Sequence, residues 1–378
     1  MIEEHRLEQN LKEFSFPRLS GTIHEKKAFN HIKEKILSLN LSPSVQSFEF
    51  STFYSRVYPK IMFVLLFLIN FFFFLDIRNS IVTVLIIGMF IVLGLLILIT
   101  RHPEKIKFGK VLPSHNLWAE IPQMSDSAKM DVYFTCHIDS KSQILPIRIR
   151  TLSNVSWTFS YIAWVSVLII DVFLDNLIIT ILGFIFLFCN LIPTILLAIN
   201  FTQNKSPGSI DNGSGIVLVL ELLHYYALPE NQLNNINLSF IFFGAEECGT
   251  MGVRNFYKTL DKEKKDSIIV NNFESLAQNV VVFISKELMQ KGHRYYEMFK
   301  KCAQKENFRL FPSSFTLAFH TDGVYLMQQG IDVLEFESSD TGKFMHTAKD
   351  TPDKVNPSTL KTVCQVLIEG LNDLDAKI

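Results

Sequence analysis

His137 and Asp139 lie two residues apart where an apolar run, "DVYFTCHIDS", turns polar. Either a strand simply ends in polar residues there, or a metal-ligating imidazole is followed by the carboxylate that orients it. Four further stretches have the same character: "SIDNGSG" with Asp211, "GAEECG" with Glu246 and Glu247, "NNFES" with Glu274, and "FMHTAKDTPD" with His346. Taken singly, each has an ordinary reading as a turn and helix start, a solvated loop or a surface histidine. Asp139 aside, together they supply two histidines and four carboxylates at strand ends, where open α/β sheets build their sites. That inventory suits a pair of zinc-like ions with mixed nitrogen and oxygen ligands, bridged by one carboxylate. Two such ions activate a water and polarise a carbonyl. One carboxylate must stay uncoordinated to take the proton from that water, and the adjacent Glu246 and Glu247 can divide the tasks of base and ligand.

The segments that carry these residues alternate between strand and helix. "NLWAEI", "DVYFTC", "NLSFIFFG", "SIIVNNF", "VVVFIS" and "DVLEFE" read as short apolar strands, several of them buried on both faces. "EKKAFNHIKEKILSL", "GSGIVLVLELLHYY", "GVRNFYKTL", "HRYYEMFKKCAQK" and "PSTLKTVCQVLIEGL" have helical spacing. The alternation predicts an α/β domain with a mixed, largely parallel central sheet flanked by helices.

Two apolar blocks interrupt that pattern, and they account for much of the 48% hydrophobic content and the 34 phenylalanines. At ~20 residues per crossing each block is long enough for two passes through a bilayer. Ile61–Leu75 and Ile81–Thr100 flank "DIRNS"; Val155–Ile170 and Leu177–Ile199 flank "DVFLD". Runs such as "FVLLFLINFFFFL" lack the polar face a surface helix needs. The expected organisation is therefore the start of a catalytic domain at 1–57, a transmembrane hairpin at 58–100, the domain continued at 101–150, a second hairpin at 151–200, and the main catalytic part at 201–378. Two hairpins return the chain to the side it left. Arg56, Lys60, Arg101, Lys105, Lys107, Lys110, Arg148, Arg150 and Lys205 flank the helices on that side, against Arg78 beside Asp76, Asp171 and Asp175 on the other. The positive-inside rule then places a multi-pass protein in the cell membrane with its catalytic domain in the cytoplasm. A net charge of −1 gives no sign of a nucleic-acid partner. Five scattered cysteines fit a reducing compartment, and the polar start "MIEEHRLEQNLKEF" shows no cleaved signal peptide.

In chain order these motifs resemble the zinc-dependent exopeptidases that include bacterial leucyl aminopeptidases, aminopeptidase Y and glutamate carboxypeptidase. "PRLSGTIHEKKAFNHIKEKILSLNL" resembles the family's Arg-x-x-Gly segment and opening helix, and "VYFTCHIDS" its His-x-Asp strand. "PGSIDNGSGIVLVLELL", "FIFFGAEECGTMGVRNF" and "HTAKDTPDKV" are similar to its Asp-Asn, Glu-Glu and closing segments. The resemblance implies two zinc ions per chain: His137 and Glu274 on one, Glu247 and His346 on the other, and Asp211 bridging. It also implies Glu246 as general base, with Asp139 orienting His137. Three positions depart from the family pattern. Glu274 stands where Asp is usual, Met345 where a Tyr able to stabilise an oxyanion often precedes the closing histidine, and Gly323 where Thr321 and Asp322 would be followed by His. His320 is a candidate to line the site, while Cys136 and Cys248 read as small packing residues.

The resulting expectation is a membrane-embedded di-zinc metallopeptidase, an aminopeptidase acting on peptides near the membrane surface. Two other readings compete with it: a single-zinc enzyme of the glutaminyl cyclase kind, and a non-catalytic membrane scaffold on a peptidase fold. A transporter is disfavoured, because Asn70, Asn190 and Pro193 are too few intramembrane features to outline a path.

Overall fold

Apolar side chains recur at every second residue in the core strands, and they sort onto two faces of one sheet. Val132, Phe134 and Cys136 join Phe240 and Phe242 in one buried cluster, while Tyr133 joins Ile241 and Phe243 in another. That two-residue period is what a sheet covered on both sides requires. In the computed structural model, residues 1–76, 80–125, 130–174, 176–290, 292–316 and 320–378 are described. Arg78 and Asp175, expected in the short turns of the two hairpins, lie outside the described residues.

The chain forms two compact units, one of Met1–Phe50, Leu112–Ser142 and Asn204–Ile378, the other of Ser51–Val111 and Gln143–Gln203. The first unit opens with α1 (Glu4–Phe14), α2 (Ile23–Ser38) and β1 (Ser44–Ser51). The chain then runs through α3 (Tyr58–Asp76) and α4 (Ser80–Thr100) of the second unit. It returns for β2 (Val111–Ile121) and β3 (Met130–His137) and leaves again for α5 (Ile147–Phe173) and α6 (Leu177–Ala198). The remainder belongs to the first unit. It comprises α7 (Ser214–Tyr226), β4 (Ile236–Phe243), α8 (Met251–Tyr257), β5 (Ile268–Phe273), β6 (Val280–Ile284), α9 (Arg294–Lys305), β7 (Arg309–Pro312), α10 (Asp322–Gln328), β8 (Asp332–Ser338) and α11 (Pro357–Asp375), with short turns between.

The sheet has eight strands in the order β1-β2-β4-β3-β5-β8-β6-β7. Its four central strands, β4, β3, β5 and β8, run parallel. β2 and β6 join this block antiparallel. The mixed, largely parallel architecture expected from the sequence is the one found. α7 is buried along nearly its whole length against β3, β4 and β5. Phe134 stacks on Phe240 and Phe273 at ring separations of 5.3 and 6.2 Å. Several elements went unread in the sequence, β7 and α10 among them. α1 buries Leu7, Leu11 and Phe14 at helical spacing within a polar stretch, and β1, "SVQSFEFS", is a mostly exposed edge strand.

Among the described residues, four helices of the second unit are long and apolar enough to cross a membrane. α5 starts at Ile147, eight residues before the apolar run singled out in the sequence, and at 27 residues it makes up the length that run lacked. Inside this unit, Asn190 of α6 donates to the Trp157 carbonyl (3.1 Å) and to Ser160 Oγ (3.0 Å) of α5. Trp157 Nε1 in turn donates to Thr194 Oγ1 (3.0 Å). Such interhelical bonds join helices that have no hydrophobic drive to associate in lipid.

Arg18 fastens three segments of the first unit. Its guanidinium is fully buried and donates to five carbonyl oxygens: Ile138 (2.9 Å), Phe16 (3.0 Å), Pro207 (2.7 Å), Gly208 (3.0 Å) and Phe14. Burial lowers its pKa to about 10, which leaves it charged at neutral pH. The close approach at Gly208 excludes a side chain there. Its φ is +63°, and a Cβ would meet the Ser140 Cβ at 2.4 Å. Arg18→Met would leave five buried carbonyls without this donor, so we expect a loss of more than about 3 kcal/mol. Urea unfolding of the full chain in detergent measures it, and a loss of unfolding free energy below about 1 kcal/mol would contradict the clamp.

Candidate active site

Three neighbouring parallel strands deliver the site at their carboxyl ends, as the topology of open sheets favours. β3 ends on His137, β5 runs directly into Glu274, and β4 leads through Ala245 to the tight turn Glu246–Cys248. Ala245 has φ +55°, and this left-handed residue redirects the chain so that two successive glutamates follow within one turn. Asp211 comes from the irregular turn Ser209–Gly213 ahead of α7, and His346, itself at φ +60°, from the loop after β8. All six side chains are buried or nearly so; His346 is the most exposed at 9%.

The six converge. His137 Nε2 lies 3.1 Å from Asp211 Oδ1, 3.2 Å from Glu274 Oε1 and 4.0 Å from Glu246 Oε2. His346 Nε2 lies 2.9 Å from Asp211 Oδ2 and 3.4 Å from Glu247 Oε1. The potential ligand atoms fall into two groups, His137 with Glu246 and Glu274, and Asp211 with Glu247 and His346, each within 4.8 Å. Asp211 therefore faces one histidine with each carboxylate oxygen.

Asp139 braces this arrangement from below. Its Oδ1 accepts from the Glu246 amide (3.0 Å), and its Oδ2 accepts from the Glu247 amide (3.1 Å) and from Ser20 Oγ. Its carbonyl lies 3.0 Å from His137 Nδ1, so Nε2 is the nitrogen turned into the site. Asp350, from the closing motif, accepts from the Ile210 amide (2.6 Å) and the Asp211 amide (3.3 Å). Asn212 donates to the Phe273 carbonyl (2.7 Å), linking the Asp211 turn to the end of β5. Glu25 accepts from the Ala245 amide (3.0 Å) and from Ser114 Oγ (2.8 Å), holding the Glu-Glu turn from its other side.

The charges are unbalanced in a way that calls for a cation. Burial, with Glu247 and Glu274 nearby, pushes the Glu246 carboxyl well above the usual carboxylate range. Burial works in the same direction at Glu247, but Lys141, whose ammonium touches its Oε2, and His346 hold its pKa down at about 2. Asp211 Oδ1, Glu247 Oε1 and Glu274 Oε2 are buried without a hydrogen-bond partner. Unsatisfied buried carboxylate oxygens are costly, and three of them converging with two imidazoles is a donor set that fits divalent zinc-like ions.

The three departures from the family pattern have distinct structural settings. Glu274 reaches His137 despite its longer side chain. Met345 is partly buried and packs against the main core. At Gly323 a Cβ would fall 1.7 Å from Glu335 Oε2, so the Glu335 carboxyl occupies the space that a side chain at residue 323 would need. Glu335 also accepts from Asn272 Nδ2 (3.1 Å), and Asn272 accepts from Thr135 Oγ1 (2.6 Å), a buried polar ladder beneath the site. Lys141 and Glu335 were not read from the sequence as site neighbours. A lysine two residues beyond Asp139, and an acid in the apolar strand "DVLEFES", were the available signals. His320 is exposed and stands outside the six. Cys136 and Cys248 are buried, and burial raises the Cys136 thiol, in line with packing rather than reactivity.

Comparison with known proteins follows the same lines. Over 166 residues the chain is 26% identical to Aminopeptidase YwaD of Bacillus subtilis, an alignment covering 41% of this chain and 35% of that protein's length. An aminopeptidase from Aneurinibacillus sp. strain AM-1 superposes with a TM-score of 0.61 at 13% identity, covering 98% of this chain and 94% of the other. A zinc aminopeptidase from Bacillus subtilis gives 0.57 at 14% identity over 99% and 96% of the two chains. A glutaminyl cyclase from Fimbriiglobus ruber gives 0.54 at 12% identity over 98% and 95%. At these identities the structural likenesses establish the fold. The sequence profile of Peptidase family M28 matches residues 174–371, just over half of the sequence. With that match over a fold of the same kind, the chain belongs to peptidase family M28.

Proposed function

We propose that this protein is a membrane-embedded metallo-aminopeptidase that holds two zinc ions. His137 and Glu274 would hold one ion, Glu247 and His346 the other, and Asp211 would bridge them. The observation that carries this reading is the placement of Asp211, with one oxygen 3.1 Å from His137 and the other 2.9 Å from His346. When bound, the ions would supply Lewis-acid polarisation of the scissile carbonyl and a water acidified to act as nucleophile.

The chain's own residues then have separable tasks. Glu246 accepts the proton of the attacking water and delivers it to the leaving amine. Asp139 keeps His137 in one orientation and fixes the Glu246–Glu247 backbone through two amide hydrogen bonds. Lys141 offsets the charge of Glu247. A free substrate α-amine would find compensation among these carboxylates, which favours N-terminal residues as the point of cleavage.

The membrane part of the proposal rests on α3 to α6, each of membrane-spanning length, and on the basic residues that flank them. In the sequence α5 and α6 lie between His137 and Asp211, so both candidate ligands are within a few residues of chain that enters or leaves the second unit. We infer a catalytic unit on the cytoplasmic face and peptide substrates at the membrane surface. A glutaminyl cyclase has the same fold, but a histidine facing each carboxylate oxygen of Asp211 favours the di-metal hydrolase.

Glu246→Gln separates chemistry from metal binding. Hydrolysis of aminoacyl-anilides should fall by about 10²–10⁴, while zinc content stays at the wild-type value. Retained activity would remove Glu246 as the base, and lost zinc would make it a ligand instead.

A further inference from the structure

Two buried asparagines lie in the apolar helices, and they are used differently. Asn190 is committed to α5, as described above. Asn70 of α3 is 5% exposed, and its side-chain nitrogen has no hydrogen-bond partner. It lines a cavity of about 270 Å³ walled by α3, α4 and α5. Phe73, Ile86 and Leu168 are among the apolar residues of that wall; Thr83 and Tyr161 are its other polar contributors among the described residues, and none of the described lining residues is charged.

This combination specifies an occupant. An apolar cavity of about 150 Å³ stays dry and takes up benzene, and this one is larger. The described lining, apolar with three uncharged polar groups, favours an uncharged occupant. The unpartnered amide donor, however, calls for an acceptor, because a buried polar group is normally paired. A carbonyl attached to a hydrocarbon chain meets both demands. Asn70 lies six residues from the Asp76 end of α3, about 9 Å along the helix axis. Thr83 lies three residues into α4, so the polar part of the wall is near the α3–α4 end of the bundle.

We propose that α3, α4 and α5 form a binding site for one acyl chain, with its carbonyl accepting from Asn70 Nδ2 and its methylenes filling the cavity. The proposal rests on the reading of α3 to α6 as membrane-spanning. The acyl carbonyl can come from a phospholipid ester or from an N-acylated peptide, and the chemistry of recognition is the same.

The test uses the full chain reconstituted into vesicles of dioleoylphosphatidylglycerol and dioleoylphosphatidylcholine. After extraction into detergent, native mass spectrometry counts retained phospholipid. One lipid per chain is expected in the wild type. Retention should fall at least tenfold in Ile86→Trp, which fills the cavity, and severalfold in Asn70→Leu, which removes the donor with little change of volume. Wild-type anilide hydrolysis in both variants verifies that they fold. Addition of an N-palmitoyl peptide identifies the source: displacement of the lipid assigns the site to acylated peptides as well, and no displacement assigns it to phospholipid. Lipid retention unchanged by both substitutions would overturn the acyl site, as would a wild type that binds neither probe. Alkaline carbonate washing of the vesicles reports separately on the membrane reading: release of the chain would overturn that reading and the acyl site with it.

Discussion

Half of the site, His137, Glu246 and Glu247, depends on Asp139. One oxygen receives the Glu246 amide, the other receives the Glu247 amide and the Ser20 hydroxyl, and the carbonyl of the same residue faces His137 Nδ1. A single side chain thus ties the end of β3 to the turn after β4 and to the segment before α2. Its position has no freedom, because Arg18 holds the next carbonyl upstream, at Ile138, and Ser140 exchanges hydrogen bonds with Arg18. Removing Asp139 would release one candidate ligand, the candidate base and a second ligand together. The site is better described as one braced unit than as six independent residues.

Parallel strands explain why so few contacts suffice. β4, β3 and β5 are adjacent and in parallel register, so residues ending all three arrive at one edge without a long loop. The remaining two positions, Asp211 and His346, come from irregular segments and need separate anchoring. Asp350 supplies it for Asp211 through two backbone amides, which gives the closing motif "HTAKDTPD" a structural task besides carrying His346. The left-handed backbone at Ala245 and His346 is tolerated where the surrounding bonds determine it.

Much of this was legible in the sequence, for physical reasons. The core strands are short apolar runs that both faces of a covered sheet demand, and two-metal chemistry restricts which residue types can end them. The candidates His137, Asp211, Glu246, Glu247, Glu274 and His346 all meet in space. α1 was masked because its stripe of Leu7, Leu11 and Phe14 is diluted by charged residues, and β1 because an exposed edge strand carries little apolar signal. The start of α5 was hidden because "IRIRTLSN" is polar, so the hydropathy of the run begins later than the helix. The pairing of Gly323 with Glu335 could not be read at all. It is a steric exchange between residues on different elements, and nothing in the sequence brings the two together.

The central claim is that two ions share Asp211. Its most direct test is elemental analysis of the detergent-purified wild type and the Asp211→Ala variant, with aminoacyl-anilide hydrolysis measured on the same samples. The account predicts about two zinc ions per wild-type chain, with zinc and hydrolysis lost together in the variant. One zinc per wild-type chain, together with cyclisation of N-terminal glutaminyl peptides, would contradict it in favour of a single-metal cyclase. Zinc unchanged in the variant would remove Asp211 from the metal centre.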